Sequence, residues 1–194
     1  KVNELEEFTT HAGNPNVNCR SNDYRVINDH LACLKGSLSL NSTVFACLRN
    51  RHGLTSSIMA MVYSKIDPPV SWSQEILDRV LHFGYKMHHD CLEGGIIRNL
   101  TLPEIPSKFY VADSYLTQIC IAPYIQRRDV EETRVVLDNP IAEAILEAFK
   151  AFRYLLLELD NFTFALWRSE DSKYFYFFDG YQKTLEGHND TYMG

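Results

Sequence analysis

The sequence of 194 residues predicts an α+β domain, in which two or three helices pack on an antiparallel sheet of about four to six strands. Three segments carry apolar residues at helical spacing. Near the C-terminus, two apolar runs flank a short polar turn, which is typical of a β-hairpin. Helices first and a hairpin later indicate an α+β arrangement, because parallel α/β folds alternate strands with helices.

The composition indicates one folded domain preceded by a polar arm. Hydrophobic residues make up 45% and charged residues 23%, enough to build a core. Residues 1–30 are polar and turn-rich and are predicted to form an N-terminal arm, and residues 31–194 the single domain. The net charge of -6 argues against nucleic-acid binding. No apolar run approaches the ~20 residues that span a bilayer, so we expect no membrane partner.

The first half of the chain is predicted to contain short strands and two helices. Apolar and polar residues alternate between Leu31 and Leu48, which indicates short strands. A buried helix should begin near Thr55 and end at Asp67-Pro68-Pro69, where proline removes a donor and restricts the residue before it. Ser73 can cap a second, stronger helix that should end at Glu93-Gly94-Gly95. Its apolar stripe consists of Ile76, Leu77, Val80, Leu81, Gly84 and Met87.

The middle of the chain is predicted to form a loop, a strand and a third helix. Prolines punctuate residues 99–125, so we expect a loop followed by a strand around Tyr115–Ile121. Arg134–Leu137 is a short run rich in β-branched residues. Asn139-Pro140 is a good helix start, since asparagine caps and proline fits the first helical position. The apolar face of this helix is expected to continue as far as Leu156.

Two aromatic-rich runs near the C-terminus predict the hairpin. Asn161–Trp167 is apolar, Ser169–Ser172 is a polar turn, and Lys173–Phe178 is nearly all aromatic. The phenylalanines of the second run lie on both sides of one strand. We therefore expect that strand to be buried on both faces, at the centre of the sheet.

Cysteines and glycosylation sequons point to different compartments. The cysteines are Cys19, Cys33, Cys47, Cys91 and Cys120. They include no CxxC pair, and their odd number favours free thiols in a reducing compartment. The Asn-x-Thr sequons are at Asn41, Asn99, Asn161 and Asn189, more than the composition leads one to expect. Because Asn161 opens an expected buried strand, we prefer an intracellular protein, nuclear or cytoplasmic, with a secreted, N-glycosylated binding domain as the alternative.

Three stretches between Lys35 and Gly187 carry a resemblance to a known family. They are Lys35–Ser37 followed by Arg51–Ser57; Pro69–Asp78 with Val80, Leu81 and Gly84; and Phe164–Trp167 leading to Tyr176–Tyr181. Their order and spacing resemble the papain-like cysteine peptidases of the herpesvirus tegument deubiquitinase type and their insect relatives. The resemblance implies a papain-like fold for residues 31–194 and ubiquitin or a similar protein as the ancestral substrate.

The resemblance also implies where a catalytic pair would lie. Active members open the first helix with Gln-Cys, where the helix dipole favours a thiolate, and carry Asp-x-His after the aromatic strand, the histidine being the base. The corresponding positions here are His52-Gly53 and Asp179-Gly180-Tyr181. They hold no sulfur, and tyrosine, with a usual pKa near 10, is a poor base at neutral pH. Taken alone, Asp179-Gly180 is merely a turn after a strand.

These substitutions predict a pseudoenzyme, a pseudo-deubiquitinase that serves as a protein–protein interaction module or scaffold and needs no cofactor. The expected partner is another protein or a peptide segment, such as a ubiquitin-like protein, and the chain itself could form homo-oligomers. The candidate interface aromatics are Trp72, Tyr85, Tyr181 and Tyr192, for each of which core packing is an equal alternative.

Other chemistry has weaker support in the sequence. An active cysteine hydrolase would use Cys47 with His52 or His188 as base, but Cys47 is expected to be a buried thiol. A metal site at His88 and Cys91, three residues apart on a helix, would need further ligands. The serines that follow Thr55 have no Gly-x-Ser-x-Gly elbow, and capping explains their hydroxyls.

Overall fold

The structure, a computed structural model, describes residues 23–92, 95–111, 115–118, 140–159, 161–181 and 192–193. Most of the predicted polar arm and the run Arg134–Leu137 lie outside these residues, as do His188 and Asn189.

The described residues form strands and helices in the following order. The strands are β1 (Arg25–Asn28), β2 (Leu31–Lys35), β3 (Lys108–Val111), β4 (Tyr115–Gln118), β5 (Tyr154–Leu159), β6 (Phe162–Arg168), β7 (Phe175–Asp179) and β8 (Tyr192–Met193). The α-helices are α1 (Gly53–Ile66), α2 (Gln74–Cys91) and α3 (Pro140–Ala151), and short 3-10 helices cover Thr43–Leu48, Pro69–Ser71 and Leu102–Glu104. None of the helices in these ranges is long and apolar enough to cross a membrane.

The larger sheet is antiparallel and has the strand order β1-β2-β8-β7-β6-β5, and β3 and β4 form a separate hairpin. On one face of the sheet, Ala165, Trp167 and Phe178 are buried in the main core. Helix α1 lies on this face, where the Ser57 hydroxyl donates to the Thr163 carbonyl at 3.0 Å. The predicted α+β class, with helices packed on an antiparallel sheet, is confirmed.

Helix α1 ends where the sequence predicts and begins two residues earlier than expected. The Asp67 amide donates to the Tyr63 carbonyl at 2.9 Å, and the prolines that follow stop the helix. At the other end, the Thr55 hydroxyl donates to the His52 carbonyl at 3.0 Å. Gly53 is therefore the first residue of the helix, and His52 precedes it.

Helix α2 confirms the predicted apolar stripe, and Gly84 within it lets the two helices approach closely. A Cβ atom on Gly84 would lie 2.3 Å from the Ser56 hydroxyl and 2.5 Å from the Ser56 Cα. Ser73 occupies the capping position without a side-chain bond to the helix; instead, the Gln74 amide donates to the Asp23 carboxylate at 3.1 Å. The helix ends at Cys91.

Three element predictions differ from the structure. Between Leu31 and Leu48 only β2 is a strand, and Thr43–Leu48 is a 3-10 helix that buries Phe45 and Leu48. The predicted loop also contains β3, which forms by pairing with β4. Helix α3 ends at Ala151, and Leu156 lies in β5. The run of leucines around Leu156 is compatible with a helix or a strand, and its pairing with β6 makes it a strand.

The β6–β7 hairpin is confirmed, but β7 is not buried on both faces. Phe178 is fully buried, whereas Phe177 is 37% exposed. The strand is flanked by β6 and β8, so its backbone is internal to the sheet while one of its side-chain faces meets solvent.

The end of the predicted arm is part of the sheet. Arg25–Asn28 forms the exposed edge strand β1, which pairs with β2. Just before it, the Tyr24 hydroxyl donates to the Pro69 carbonyl at 2.7 Å, which fixes this segment against the connection between α1 and α2.

Asp78 on α2 anchors the loop that follows β2. Its carboxylate accepts the Ser37 and Leu38 amides at 2.9 Å each and the Ser37 hydroxyl at 2.5 Å. We expect Asp78→Ala to lower the free energy of unfolding by about 2–4 kcal/mol, because bonds to a charged acceptor are the stronger kind. Urea unfolding measures this. Asp78→Asn, which keeps one acceptor oxygen, should lose about half as much, and a loss below about 0.5 kcal/mol for the alanine variant would refute the anchor.

Candidate functional site

Gly53 and Tyr181 lie in direct contact. A Cβ atom on Gly53 would lie 1.9 Å from the Tyr181 hydroxyl oxygen and 2.6 Å from its Cζ atom. Real Cβ atoms do not approach other heavy atoms so closely. Position 53 can therefore hold a residue other than glycine only if the tyrosine moves.

Tyr181 is buried, 5% exposed, at the end of the β6–β7 hairpin. Its ring meets Phe162 and Phe164 edge-on, with centroid distances of 4.8 and 5.7 Å. Its hydroxyl oxygen accepts the Thr163 amide at 3.2 Å, and burial raises the pKa of Tyr181 above its usual value. The phenol therefore stays protonated and is a worse proton acceptor than an exposed tyrosine.

Asp179 holds the backbone of this turn. Its carboxylate accepts the Tyr181 amide at 2.8 Å, which is the local bond of an Asx-turn. Behind it, the Gly180 carbonyl accepts the Leu40 amide at 2.8 Å. The turn interpretation of Asp179-Gly180 thus describes its local geometry, and the same turn brings Tyr181 to Gly53.

His52 is fully buried between aromatic rings. It lies edge-on to Phe45 at 4.5 Å and to Tyr85 at 5.8 Å, and neither ring nitrogen has a hydrogen-bond partner in the described part of the chain. Burial, and secondarily the nearby His88, lower the pKa of His52 to about 3. The imidazole is therefore neutral at physiological pH.

Two more polar groups are buried without partners near His52. They are the Ser56 hydroxyl, one turn into α1, and Nδ1 of His88 on α2, within the described residues. Nε2 of His88 lies 3.0 Å from the Arg98 carbonyl, and burial lowers the pKa of His88. Gly84 of α2 contacts Ser56, and His88, one turn after Gly84, lies close enough to His52 to act on its charge.

Cys47 is exposed, so the prediction of a buried thiol is wrong. The 3-10 helix around it turns Phe45 and Leu48 toward the core and leaves the residues between them outside. His52 is a poor base for this thiol, because burial of its ring lowers its pKa and so disfavours protonation.

The candidate interface aromatics have different environments. Trp72 is fully buried between Tyr63 and Trp167, and its indole donates to the Asp67 carbonyl at 2.7 Å, so it packs in the core. Tyr181 is buried as well, whereas Tyr85 is half-buried against His52. Tyr192 in β8 pairs with Lys35 and Asp179.

Metal ligation has no cluster to support it in the described ranges. No group of three or more His, Cys, Asp or Glu side chains there could hold an ion. His88 instead bonds the Arg98 carbonyl, and Cys91 is half-buried with its pKa raised by burial.

The three sequon asparagines within the described residues are exposed. They are Asn41, Asn99 and Asn161. The prediction that Asn161 begins a buried strand is therefore wrong: it lies in the tight turn between β5 and β6, and burial starts at Thr163.

A row of aromatic side chains on the outer face of the sheet was missed by the sequence reasoning. Phe162 and Phe164 contact Tyr181, Phe177 packs on Phe164, and both Phe162 and Phe177 are more than a third exposed. The phenylalanines at alternate positions of β6 are the sequence signal for this row, but the pattern alone does not tell an exposed aromatic face from a buried one.

Two helices pack on an antiparallel sheet, and the Asp179-Gly180 turn that follows β7 lies at the start of α1. This arrangement is the fold of a cysteine-protease-like domain. The crystal structure of the ubiquitin-specific protease encoded by a murine cytomegalovirus tegument protein, in complex with a ubiquitin-based suicide substrate, is similar, with a TM-score of 0.60. The two sequences are 15% identical, and the structural match covers 84% of this chain and 73% of the viral protease chain.

Residues 35–194 match the family described as herpesvirus tegument protein, N-terminal conserved region. The chain belongs to this family, and the expected family and fold are confirmed. No curated protein sequence matches.

Proposed function

We propose that this chain is a catalytically inactive cysteine-protease-like domain, a pseudo-deubiquitinase, that works by binding another protein. One observation carries the proposal: the Tyr181 hydroxyl occupies the space into which a side chain at position 53 would extend. A thiol nucleophile needs a Cβ atom and a sulfur in that space. Position 53 has neither, and the tyrosine excludes both.

The groups near position 53 do not replace the lost chemistry. His52 is neutral, buried and without a partner in the described residues, and Tyr181 holds its proton more tightly than usual. Nucleophile and base act as a unit, and losing either one costs orders of magnitude in rate. We infer that the fold is retained for binding.

The proposed partner is a ubiquitin-like protein, inside the cell, in the nucleus or cytoplasm. The similar viral protease was crystallised with a ubiquitin-based substrate, which supports this class of partner. The cysteines at positions 33, 47 and 91 are free, which suits a reducing compartment.

A live cysteine hydrolase is the second candidate, favoured by the exposure of Cys47. Ubiquitin with a thiol-reactive C-terminus tests it. We expect the intact mass of the protein to stay unchanged after incubation, because the thiol lacks a base. An adduct that disappears in Cys47→Ser would contradict the inactive assignment.

A secreted, glycosylated binding domain is the third candidate, favoured by the exposed sequon asparagines. Protein from secretory cells should show no mass shift on glycosidase treatment if the intracellular assignment holds. A shift that is lost on Asn41→Gln would overturn that assignment while leaving catalytic inactivity intact.

A further inference from the structure

A cluster of buried polar side chains lies inside the core beside position 53. His52, Ser56 and His88 are fully buried, yet both ring nitrogens of His52, the Ser56 hydroxyl and Nδ1 of His88 make no hydrogen bond to the described residues. Buried polar atoms almost always have a partner, because each atom without one lowers stability. We call these three residues the internal polar cluster.

Helices α1 and α2 bring the internal polar cluster together. The Ser56 amide donates to the His52 carbonyl at 2.9 Å, so the two residues lie one turn apart at the start of α1. On α2, Gly84 contacts Ser56, and His88 follows one turn later on the same side as Gly84. His88 also acts electrostatically on His52. The unpartnered atoms therefore lie in one region between the two helices.

The hydrogen bond of His88 determines what an occupant of this region must offer. Nε2 of His88 lies 3.0 Å from the Arg98 carbonyl, which can only accept, so Nε2 carries the proton. Nδ1 of this neutral ring is then an acceptor. His52, also neutral, presents one donor and one acceptor, and the Ser56 hydroxyl can act as either. The occupant must therefore both donate and accept hydrogen bonds.

A water molecule meets these requirements best. The rings of Phe45 and Tyr85 pack edge-on against His52, with centroids 4.5 and 5.8 Å away, which favours a small occupant. A cation would find no carboxylate or thiolate in the internal polar cluster, and an anion would meet uncharged imidazoles. Water is uncharged, both donates and accepts, and makes about three hydrogen bonds when buried.

We propose that His52, Ser56 and His88 bind a buried water molecule that bridges α1 and α2. The water donates to Nδ1 of His88 and accepts from the Ser56 hydroxyl or the His52 ring N–H. It holds the imidazole of His52 in place at the start of α1, where Gly53 contacts Tyr181. The water site concerns the stability of the fold and does not depend on the proposed function.

The first test compares two neighbouring serines of α1. The Ser57 hydroxyl donates to the Thr163 carbonyl at 3.0 Å, so Ser57→Ala, which loses this bond, should lower the melting temperature by about 2–4 °C. Ser56→Ala should lower it by a similar amount, because the water loses a partner, and both variants gain the same helix propensity. Removal of a hydroxyl that has no partner at all would leave the melting temperature unchanged or raise it, and this result for Ser56→Ala would overturn the proposal.

The second test observes the site in the wild-type protein and needs no variant to fold. A crystal structure should show a water oxygen about 2.7–3.2 Å from Nδ1 of His88 and within hydrogen-bond distance of the Ser56 hydroxyl or a His52 nitrogen. Electron density in which these side chains pack together with no solvent between them would refute the water site.

Zinc is the probe that separates water from a metal ion. Adding Zn²⁺ to the EDTA-treated protein should leave the melting temperature unchanged, because the internal polar cluster has no anionic ligand. A rise of several degrees that is lost in His88→Gln would assign the internal polar cluster to a cation and overturn the water site.

Discussion

Gly53→Cys should destabilise the protein by about 3 kcal/mol or more, although the family resemblance leads us to expect a cysteine at this position in active members. The new Cβ atom would overlap the Tyr181 hydroxyl, which the Thr163 amide and the surrounding phenylalanine rings hold in place. In a chain of this length the loss corresponds to a fall in melting temperature of about 6–12 °C. Thermal and urea unfolding both measure it.

The matched control removes the obstacle. In a Tyr181→Ala background, adding Gly53→Cys should cost less than about 1 kcal/mol, because the overlapping atoms are gone. Gly180→Ala should be milder than Gly53→Cys, since its nearest neighbours are side-chain ends of Leu40 and Leu81 at 3.1–3.3 Å. If the Gly53→Cys variant is as stable as the wild type, Tyr181 does not exclude a side chain at position 53.

Acid should destabilise the protein through His52. Its pKa is about 3 in the folded chain and about 6.5 in the unfolded chain, so between these values only the unfolded chain binds the proton. The stabilisation is complete above pH 6.5 and is lost as the pH falls below it. From pH 7 to pH 5 the free energy of unfolding should decrease by about 2 kcal/mol from this histidine alone, and the lowered pKa of His88 adds to the decrease.

Urea unfolding at several pH values checks this dependence. His52→Leu should lose much of it and gain stability relative to the wild type at pH 5, because an apolar side chain needs no ring-nitrogen partners. The exposed His89 is the control, and His89→Gln should keep the wild-type profile. A His52→Leu profile that coincides with the wild type would show that His52 is not the group that titrates.

Helix ends were readable from the sequence because their causes are local. Proline after Asp67 ends α1, and the stripe that includes Gly84 defines the buried side of α2. Strands were harder to predict because their partners are distant in sequence. The leucines of β5 suit a helix until β6 pairs with them, and β3 exists through β4.

The site was readable only in part. The family resemblance singled out positions 53 and 181. Their contact depends on tertiary structure, because the two residues are far apart in the sequence. The exposure of side chains was equally hard to predict. The phenylalanines of β7 do not show which face of the strand a helix covers. Cys47 is exposed because it lies in a 3-10 helix, for which the sequence carries no clear signal.

Catalytic inactivity is tested most directly by incubating the purified chain with ubiquitin bearing a fluorescent amine on its C-terminal carboxyl and following release of the amine. We predict no release above that of a variant in which all five cysteines are serine. Sustained turnover by the wild-type chain, abolished in the cysteine-free variant, would contradict the assignment.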